Sequence, residues 1–467
     1  MTTARAFLPD LLLAGGALHA GAALTVKDGR VLAVGEPAPG AKPVPLPGQL
    51  LIPGLVSAHG HAFQRAIRGR TERRAPGSGG VPETFWTWRR AMYDAAARLG
   101  ADALETVARF AYAELARAGV TAVGEFHYLH HAAEGQPFAD SGALALRLVR
   151  AARSVGLRVV LLDSAYARPG APGAALEPAQ LRFFHASLED YLEELAALRE
   201  GLRGDPLAGV GIAPHSVRAC PLPWLTRLAE VAWREGLPLH VHAAEQPAEV
   251  AACRAEHGVT PVELLHRAGA LGPGTTLVHA IHLDDADIRR VGEARATICA
   301  CPLTERNLGD GVVPADRLRE AGVRLALGVD SHAEADPLGE ARALELQLRL
   351  VRGQRAVLDG PPGTLGARLL EAATAGGMAS LGLAGGRLAP GEPADFAVLD
   401  LADPSIAGAS RDALLDTVVF AASPRAVRSS WVAGEPVLVE GRLASTGPEE
   451  RDLTAGFAEV MRALWGA

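Results

Sequence analysis

The sequence predicts an α/β protein: a (β/α)8 barrel of the TIM type joined to a small β-rich, sandwich-like domain built from both chain ends. Three observations carry that expectation. The middle of the chain repeats a unit made of a short apolar or β-branched run, a polar loop and a longer amphipathic stretch rich in Ala, Leu, Glu and Arg. Eight such runs favour a closed barrel over an open sheet. The flanks have a different texture, short strand-like pieces broken by Gly and Pro, and neither flank can bury much alone.

In chain order the eight runs are 51–59 (LIPGLVSAH), 121–126 (TAVGEF), 158–164 (RVVLLDS), 210–216 (VGIAPHS), 238–245 (PLHVHAAE), 275–280 (TTLVHA), 296–303 (ATICACPL) and 324–331 (RLALGVDS). Between them, stretches such as 103–119 and 223–236 place apolar residues at helical spacing and close on a glycine that suits a helix C-cap. The flanking texture fills residues 11–50 and returns at 394–401 (ADFAVLDL) and 431–443 (WVAGEPVLVEGRL). The expected division is therefore a composite β-domain from 1–52 and 388–467, with the barrel at 53–387. The segment RAPGSGG, 74–80, reads as a mobile loop.

Composition narrows the class. A chain of 467 residues has room for a large core, and 49% hydrophobic with 21% charged residues is the balance of a soluble globular protein. A formal charge of −7 gives no reason to expect nucleic acid or an anionic membrane as partner. The first residues lack the layout of a secretory signal, and no run is long and apolar enough to span a membrane. Cys220, Cys253, Cys299 and Cys301 lack CxxC spacing, so four reduced, buried thiols in a cytoplasmic protein are expected. Cys299 and Cys301 share a strand face, yet no companion ligands are evident.

Functional groups of such barrels collect at the C-terminal ends of the strands. His59 and His61 close the first run, His215 the fourth, His242 the fifth, His279 the sixth and Asp330 the eighth. Three imidazoles and a carboxylate converging there offer Zn²⁺ or Fe²⁺ most of a coordination sphere, with a position left for water. The two-residue period of a strand points His59 and His61 the same way, and Gly60 is expected to let the backbone bend. His240 and His242 share a face. Spacing alone does not choose between them, but His242 lies nearer the mouth and three residues before Glu245, so His240 is assigned a deeper, packing position.

The segments PGLVSAHGHAFQRA, HVHAAEQ, LVHAIHL and LGVDSH resemble the amidohydrolase superfamily in its mononuclear deaminase branch. That resemblance implies one divalent metal, Zn²⁺ first and Fe²⁺ as the alternative, on His59, His61, His242 and Asp330. Many members bridge two metals with a carboxylated lysine. Here Lys27 and Lys42 are the only lysines and both precede the barrel, so one metal follows.

Further segments, FWTWRRAMY, AGVTAVGEFHYLHH, GIAPHSVRA, HAAEQPAEV and CPLTERNLGDG, are similar to the formimidoylglutamate deiminase family. The implied reaction is hydrolysis of N-formimidoyl-L-glutamate to N-formyl-L-glutamate and ammonia, in histidine degradation. A metal of this kind lowers the pKa of its bound water to ~7. Asp330 would then accept the water's proton, Glu245 would hold the amidinium and protonate the departing nitrogen, and His279 would orient the water and stabilise the tetrahedral intermediate.

Gln64, Arg89, Tyr128, His215 and Arg218 fall on the family's substrate-binding segments, and an arginine fork suits the two carboxylates of such a substrate. Arg218 follows His215 by three residues, whereas Arg89 depends on the loop expected at 74–92 folding over the mouth. Arg65 and Arg68 read as structural or surface residues, and Trp86 and Trp88 as packing. Relatives commonly dimerise, which makes a homodimer the expected assembly. Three other readings stay open: a deaminase of a purine ring such as guanine, a hydrolase of another C–N bond such as an amide or a chlorinated-ring substrate, and an inactive barrel acting as a binding protein.

Overall fold

Eight parallel strands form a ring of neighbours in chain order: β1 (Leu55–Gly60), β2 (Val120–His127), β3 (Arg158–Ala165), β4 (Ala208–Pro214), β5 (Leu239–Ala243), β6 (Thr275–His279), β7 (Thr297–Ala300) and β8 (Arg324–Leu327). Their residues are almost all buried, as strands covered on both faces must be. This computed structural model describes residues 3–74, 82–132, 135–138, 142–170, 175–444 and 450–466; all but Arg74 of the loop expected at 74–80 lies outside them.

The ring closes where β1 meets β8, through a parallel bridge between Gly60 and Asp330. The His61 N–H donates to the Asp330 carbonyl at 2.9 Å, and the Asp330 N–H to the His59 carbonyl at 3.1 Å. The backbones approach this closely because residue 328 is glycine: a Cβ there would stand 2.7 Å from the His59 carbonyl oxygen. Gly60, expected to bend the chain, is half of the closing bridge at the end of β1, and the register of β1 against β2 shifts between Ser57 and Gly60.

The run expected as one strand at 51–59 is divided. Residues up to Pro53 belong to a long strand of the terminal sheet, Lys42–Pro53, and β1 starts at Leu55. Gly54 makes the transition, because a Cβ there would collide with Thr121 at 2.2 Å. Its N–H donates to the Asp395 carbonyl at 3.0 Å.

The terminal sheet joins strands from both chain ends, with Phe396–Asp400 paired antiparallel to Lys42–Pro53, which itself pairs parallel with Arg5–Ala14. The sheet curls on itself. The Val31 N–H reaches the Glu392 carbonyl, and inside the curl Phe396 stacks on Trp431 at 4.7 Å while Phe7 meets both edge-on at 4.9 and 5.2 Å. Asp395 locks this sheet to the barrel by a two-pronged pair with Arg158 at 3.0 and 3.1 Å.

The strand-like texture read for the C-terminal flank does not extend through it. Leu414–Ala421 and Glu450–Trp465 are helices. The second places Leu453, Phe457, Val460, Met461 and Leu464 at helical spacing. It packs on the barrel helix α2 (Ala101–Arg117), where Phe457 stacks on Phe110 at 4.2 Å. Among the described residues, no helix is long and apolar enough to cross a membrane.

Candidate metal centre and active site

Three imidazoles and one carboxylate meet beside the closing bridge. The His242 Nε2 is 3.2 Å from the His59 Nε2, and the Asp330 Oδ1 is 3.4 Å from the His59 Nε2 and 3.3 Å from the His61 Nε2. Backbone carbonyls fix two of the rings. His61 donates from Nδ1 to the Phe126 carbonyl at 2.8 Å, and His242 from Nδ1 to the His215 carbonyl at 3.0 Å. A carbonyl only accepts, so each Nδ1 carries the hydrogen and each Nε2 presents a lone pair to the shared centre.

Burial pushes the three imidazoles down, His61 to about 3; His59 lowers both His61 and His242 further, while Asp330 pulls His59 and His61 part of the way back up. The Asp330 carboxyl is raised by burial, but the surrounding imidazoles outweigh that and hold it well below the usual carboxylate range. The cluster is thus a set of bare electron-pair donors around one anion. Atoms each about 2.1 Å from one cation stand roughly 3.0–3.4 Å apart at angles of 90–110°, so the observed spacings fit a divalent ion.

The backbone is strained where these groups are aimed. His279 (φ 68°), Asp330 (φ 48°) and Ala244 (φ 52°) all adopt the left-handed region that side chains disfavour. Each such residue costs about 1–3 kcal/mol, which the surrounding hydrogen bonds must over-determine. His279 donates from Nδ1 towards the Glu305 Oε1 at 3.3 Å. Its Nε2 stands 3.6 Å from the Glu245 Oε1 and 3.8 Å from the Asp330 Oδ2. Burial lowers His279, but Glu245, Glu305 and Asp330 together raise it well above the ordinary imidazole range. Burial lifts Glu245 to about 7 against the pull of His279 and Arg218.

A pocket of about 670 Å³, counted out to its open mouth, lies over the cluster. Of the residues singled out from sequence, His61, His242, Asp330, Glu245, His279, Gln64, Arg89, Tyr128, His215 and Arg218 all line it; His59 lies beneath, fully buried. The Gln64 side chain donates to the Tyr128 hydroxyl at 2.9 Å, which leaves the Gln64 Oε1 buried and unpartnered. The Arg218 Nε is likewise buried without a partner, and its Nη2 is 4.0 Å from Glu245. Arg89 and Arg218 both stack on Trp86, at 4.6 and 6.0 Å.

His240 is buried lower in the barrel, bonded to the Ser380 carbonyl at 2.8 Å. Arg65 and Arg68 pair with Glu114 outside the pocket.

Three features escaped the sequence. The loop expected over 74–92 is helical from Phe85 on: α1 (Phe85–Arg98), capped by Thr84, carries Arg89 over the mouth. Phe85, Trp88, Arg89, Met92 and Tyr93 line the pocket at spacings of three and four, a periodicity present in FWTWRRAMY. Glu305, inside CPLTERNLGDG, holds the far nitrogen of His279. Cys301, which had no evident companion ligands, sits in a cluster with His279 and Asp330, its thiol pushed up by burial.

A (β/α)8 barrel with a buried three-histidine, one-aspartate cluster at its mouth defines a class, the hydrolytic barrels that act from their strand ends. The chain belongs to the amidohydrolase family, whose model matches residues 50–437. It is 40% identical over 422 residues to a formimidoylglutamate deiminase of Pseudomonas aeruginosa, covering 89% of this chain and 90% of that one. It is 32% identical over 444 residues to an 8-oxoguanine deaminase of the same species, covering 93% of each. A crystal structure of an amidohydrolase from Brucella melitensis aligns with a TM-score of 0.89 at 31% identity, over 98% of this chain and 99% of that one. The protein is accordingly a hydrolase of C–N bonds.

Proposed function

We propose that the protein hydrolyses N-formimidoyl-L-glutamate to N-formyl-L-glutamate and ammonia. The observation that carries this reading is the pairing of chemistries in one pocket: Glu245 and Asp330 for an amidinium, and two guanidinium groups, Arg89 and Arg218, for carboxylates. The unpartnered Arg218 Nε supports it, because a buried donor without an acceptor favours an anionic ligand. A relative bearing the name of that activity, 40% identical, supports it further.

His59, His61, His242 and Asp330 would hold one divalent cation, zinc first and ferrous iron as the alternative, since imidazole and carboxylate accept both. When bound, it supplies Lewis acidity that brings the pKa of water towards about 7. Asp330 takes the proton from the attacking water as the water oxygen bonds to the formimino carbon. His279 stabilises the charge that develops on that oxygen. Glu245 gives its proton to the amino nitrogen, the C–N bond breaks, and the hydroxyl proton of the product returns to Glu245. The proton on Asp330 leaves with the ammonia as ammonium. Gln64, Tyr128 and His215 position the amide portion, with the two arginines on the carboxylates.

The same reading carries a place in histidine degradation, a cytoplasmic setting in keeping with four buried free thiols, and a homodimer. It also carries the division into a barrel at 53–387 and a composite domain from 1–52 and 388–467. The test is ammonia release by metal-loaded protein from N-formimidoyl-L-glutamate, with guanine and 8-oxoguanine beside it. Turnover of the amidine alone is expected. Turnover of either purine alone would transfer the reading to a ring deaminase, and none from any of the three would sink it.

A further inference from the structure

We propose that a second divalent cation, of zinc type, is held on the outer side of β2 and β3 by His130, Asp163, His185 and Glu194, where it braces the wall of the substrate pocket. Side chains alternate along β2: Phe126 packs on the rings of His59, His61 and His242, and Tyr128 lines the pocket. His127 therefore faces outward, opposite Asp163 of β3 in register. The loop after β2 brings His130 to the same place, the segment after Phe183 brings His185, and α3 (Leu188–Gly201) brings Glu194.

The donor set is preformed. His130 donates from Nε2 to the Ser164 carbonyl at 2.8 Å, which leaves its Nδ1 aimed at the Glu194 Oε1, 3.0 Å away. The His185 Nε2 lies 3.5 Å from the Glu194 Oε2, and the Asp163 Oδ1 lies 3.9 Å from the His130 Nδ1. Donor atoms of His130, His185 and Glu194 all fall within 4.8 Å of one another. These separations are slightly wider than those of a closed coordination sphere, so binding draws the four side chains inward.

The second observation is the set of polar atoms left over. Asp163 is fully buried and neither carboxylate oxygen has a hydrogen-bond partner; neither ring nitrogen of His185 has one, and the His127 Nε2 lacks one too. Buried carboxylates without partners are rare because nothing replaces their lost hydration. A proton on the His130 Nδ1 hydrogen-bonds Glu194 at 3.0 Å and reaches Asp163 only as a charge 3.9 Å away. A dication serves all four groups and neutralises both carboxylates. Two imidazoles and two carboxylates suit zinc, and a sphere filled by four protein groups marks a structural site with no open position. Its consequence for the pocket is positional: Tyr128 and Phe183, which line it, are each within two residues of a proposed ligand.

The test uses tag-free protein, stripped of metal, re-equilibrated with zinc alone, freed of excess and measured for zinc per chain. Two equivalents are expected in the wild type, one in His185→Ala, and one in His59→Ala/His61→Ala, which loses the mouth site instead. A wild type that saturates at one equivalent overturns the proposal, as does a His185→Ala protein that still holds two. If His185→Ala does not fold, the wild-type count decides alone. Zinc retained by His185→Ala but absent from the mouth variant would overturn it while leaving the proposed reaction intact.

Discussion

At the barrel mouth His59, His61 and His242 meet Asp330 at 3.2–3.4 Å, whereas behind β2 and β3 His130 and His185 meet Asp163 and Glu194 at 3.0–3.9 Å. The residue types are nearly the same. The difference lies in what positions them. At the mouth, strand ends do it: carbonyls of neighbouring strands fix the rings, and the Asp330 backbone is itself the barrel's closing bridge. Behind the wall, one strand, two loop segments and a helix converge, and of the four side chains the His130 ring alone is tied to a carbonyl, that of Ser164. Protonation follows the same division. The mouth imidazoles are pushed down with Asp330 ionised among them, so the centre binds no proton near neutrality. In the outer cluster burial lowers His130, but Glu194 beside it outweighs this and raises it to about 9; burial lifts Asp163 to about 8. One cluster awaits a cation, and the other offers protons the same seat.

The largest effect expected from this contrast is on turnover. Asp330→Asn keeps the backbone bridge and removes the proton acceptor, so kcat should fall by roughly 10²–10⁴-fold with little change in thermal midpoint. Asp163→Asn should do the reverse, lowering the midpoint of the zinc-loaded protein while altering kcat by only a few-fold. Ammonia-release rates paired with melting curves read both. Equal losses of rate in the two variants would dissolve the distinction between a reacting and a bracing cluster.

A third buried carboxylate calibrates the other two. Asp395 accepts from two nitrogens of Arg158 and from the Ala433 N–H at 2.7 Å, a complete set of partners at the joint between barrel and terminal sheet. Asp395→Ala strands the buried guanidinium and should cost about 3–5 kcal/mol in denaturant unfolding. In metal-stripped protein, Asp163→Asn should cost far less, because the buried carboxyl, protonated up to about 8, has no hydrogen-bond partner to lose. A comparable penalty for both would mean that Asp163 is satisfied by something other than a metal.

How much of this was legible beforehand follows from what sequence periodicity encodes. Strand ends are readable because apolar runs stop there, and the polar residues at those stops, His59, His61, His242, His279 and Asp330, meet in space as expected. The break at Gly54 was hidden, since the apolar run continues through Pro53 while the chain passes from one sheet to the other. The outer cluster was equally hidden. EFHYLHH stands out only as a stretch similar to the family, and His185 and Glu194 lie more than fifty residues away on elements whose docking no local pattern specifies. α1 was missed for a different reason: the Gly-rich stretch before it suggested a loop, although the pocket-facing residues repeat with helical spacing.

A smaller effect sharpens the pocket side of the comparison. Arg218 offers a buried, unpartnered Nε, while Arg89, stacked on Trp86 and Tyr93, is half-buried on α1. A charge-assisted hydrogen bond contributes about 1.5–3 kcal/mol, so Arg218→Met should raise KM by roughly 10–100-fold. Zinc content should stay unchanged, because the guanidinium touches none of the four mouth ligands. Unaltered KM would remove Arg218 from substrate binding and leave both clusters as they are.

The smallest effect is a pH slope that belongs to the outer cluster alone. In metal-stripped protein His130 titrates at about 9, above its ordinary 6.5, so the stability it contributes is full below 6.5 and is lost as pH rises through 9. Asp163 acts in the same direction: it stays protonated up to about 8, while the unfolded chain releases that proton near 3.8, so folding weakens as pH climbs between those values. Each proton is worth about 1.4 kcal/mol per pH unit within its window. A cation in the cluster replaces both protons and should flatten the slope. Urea unfolding of the His59→Ala/His61→Ala protein at pH 6.5, 8 and 9, stripped and zinc-loaded, isolates the term from the mouth. The stripped form should lose stability with rising pH and the loaded form should lose much less; parallel slopes would mean that protons, not a metal, occupy the space between His130 and Asp163.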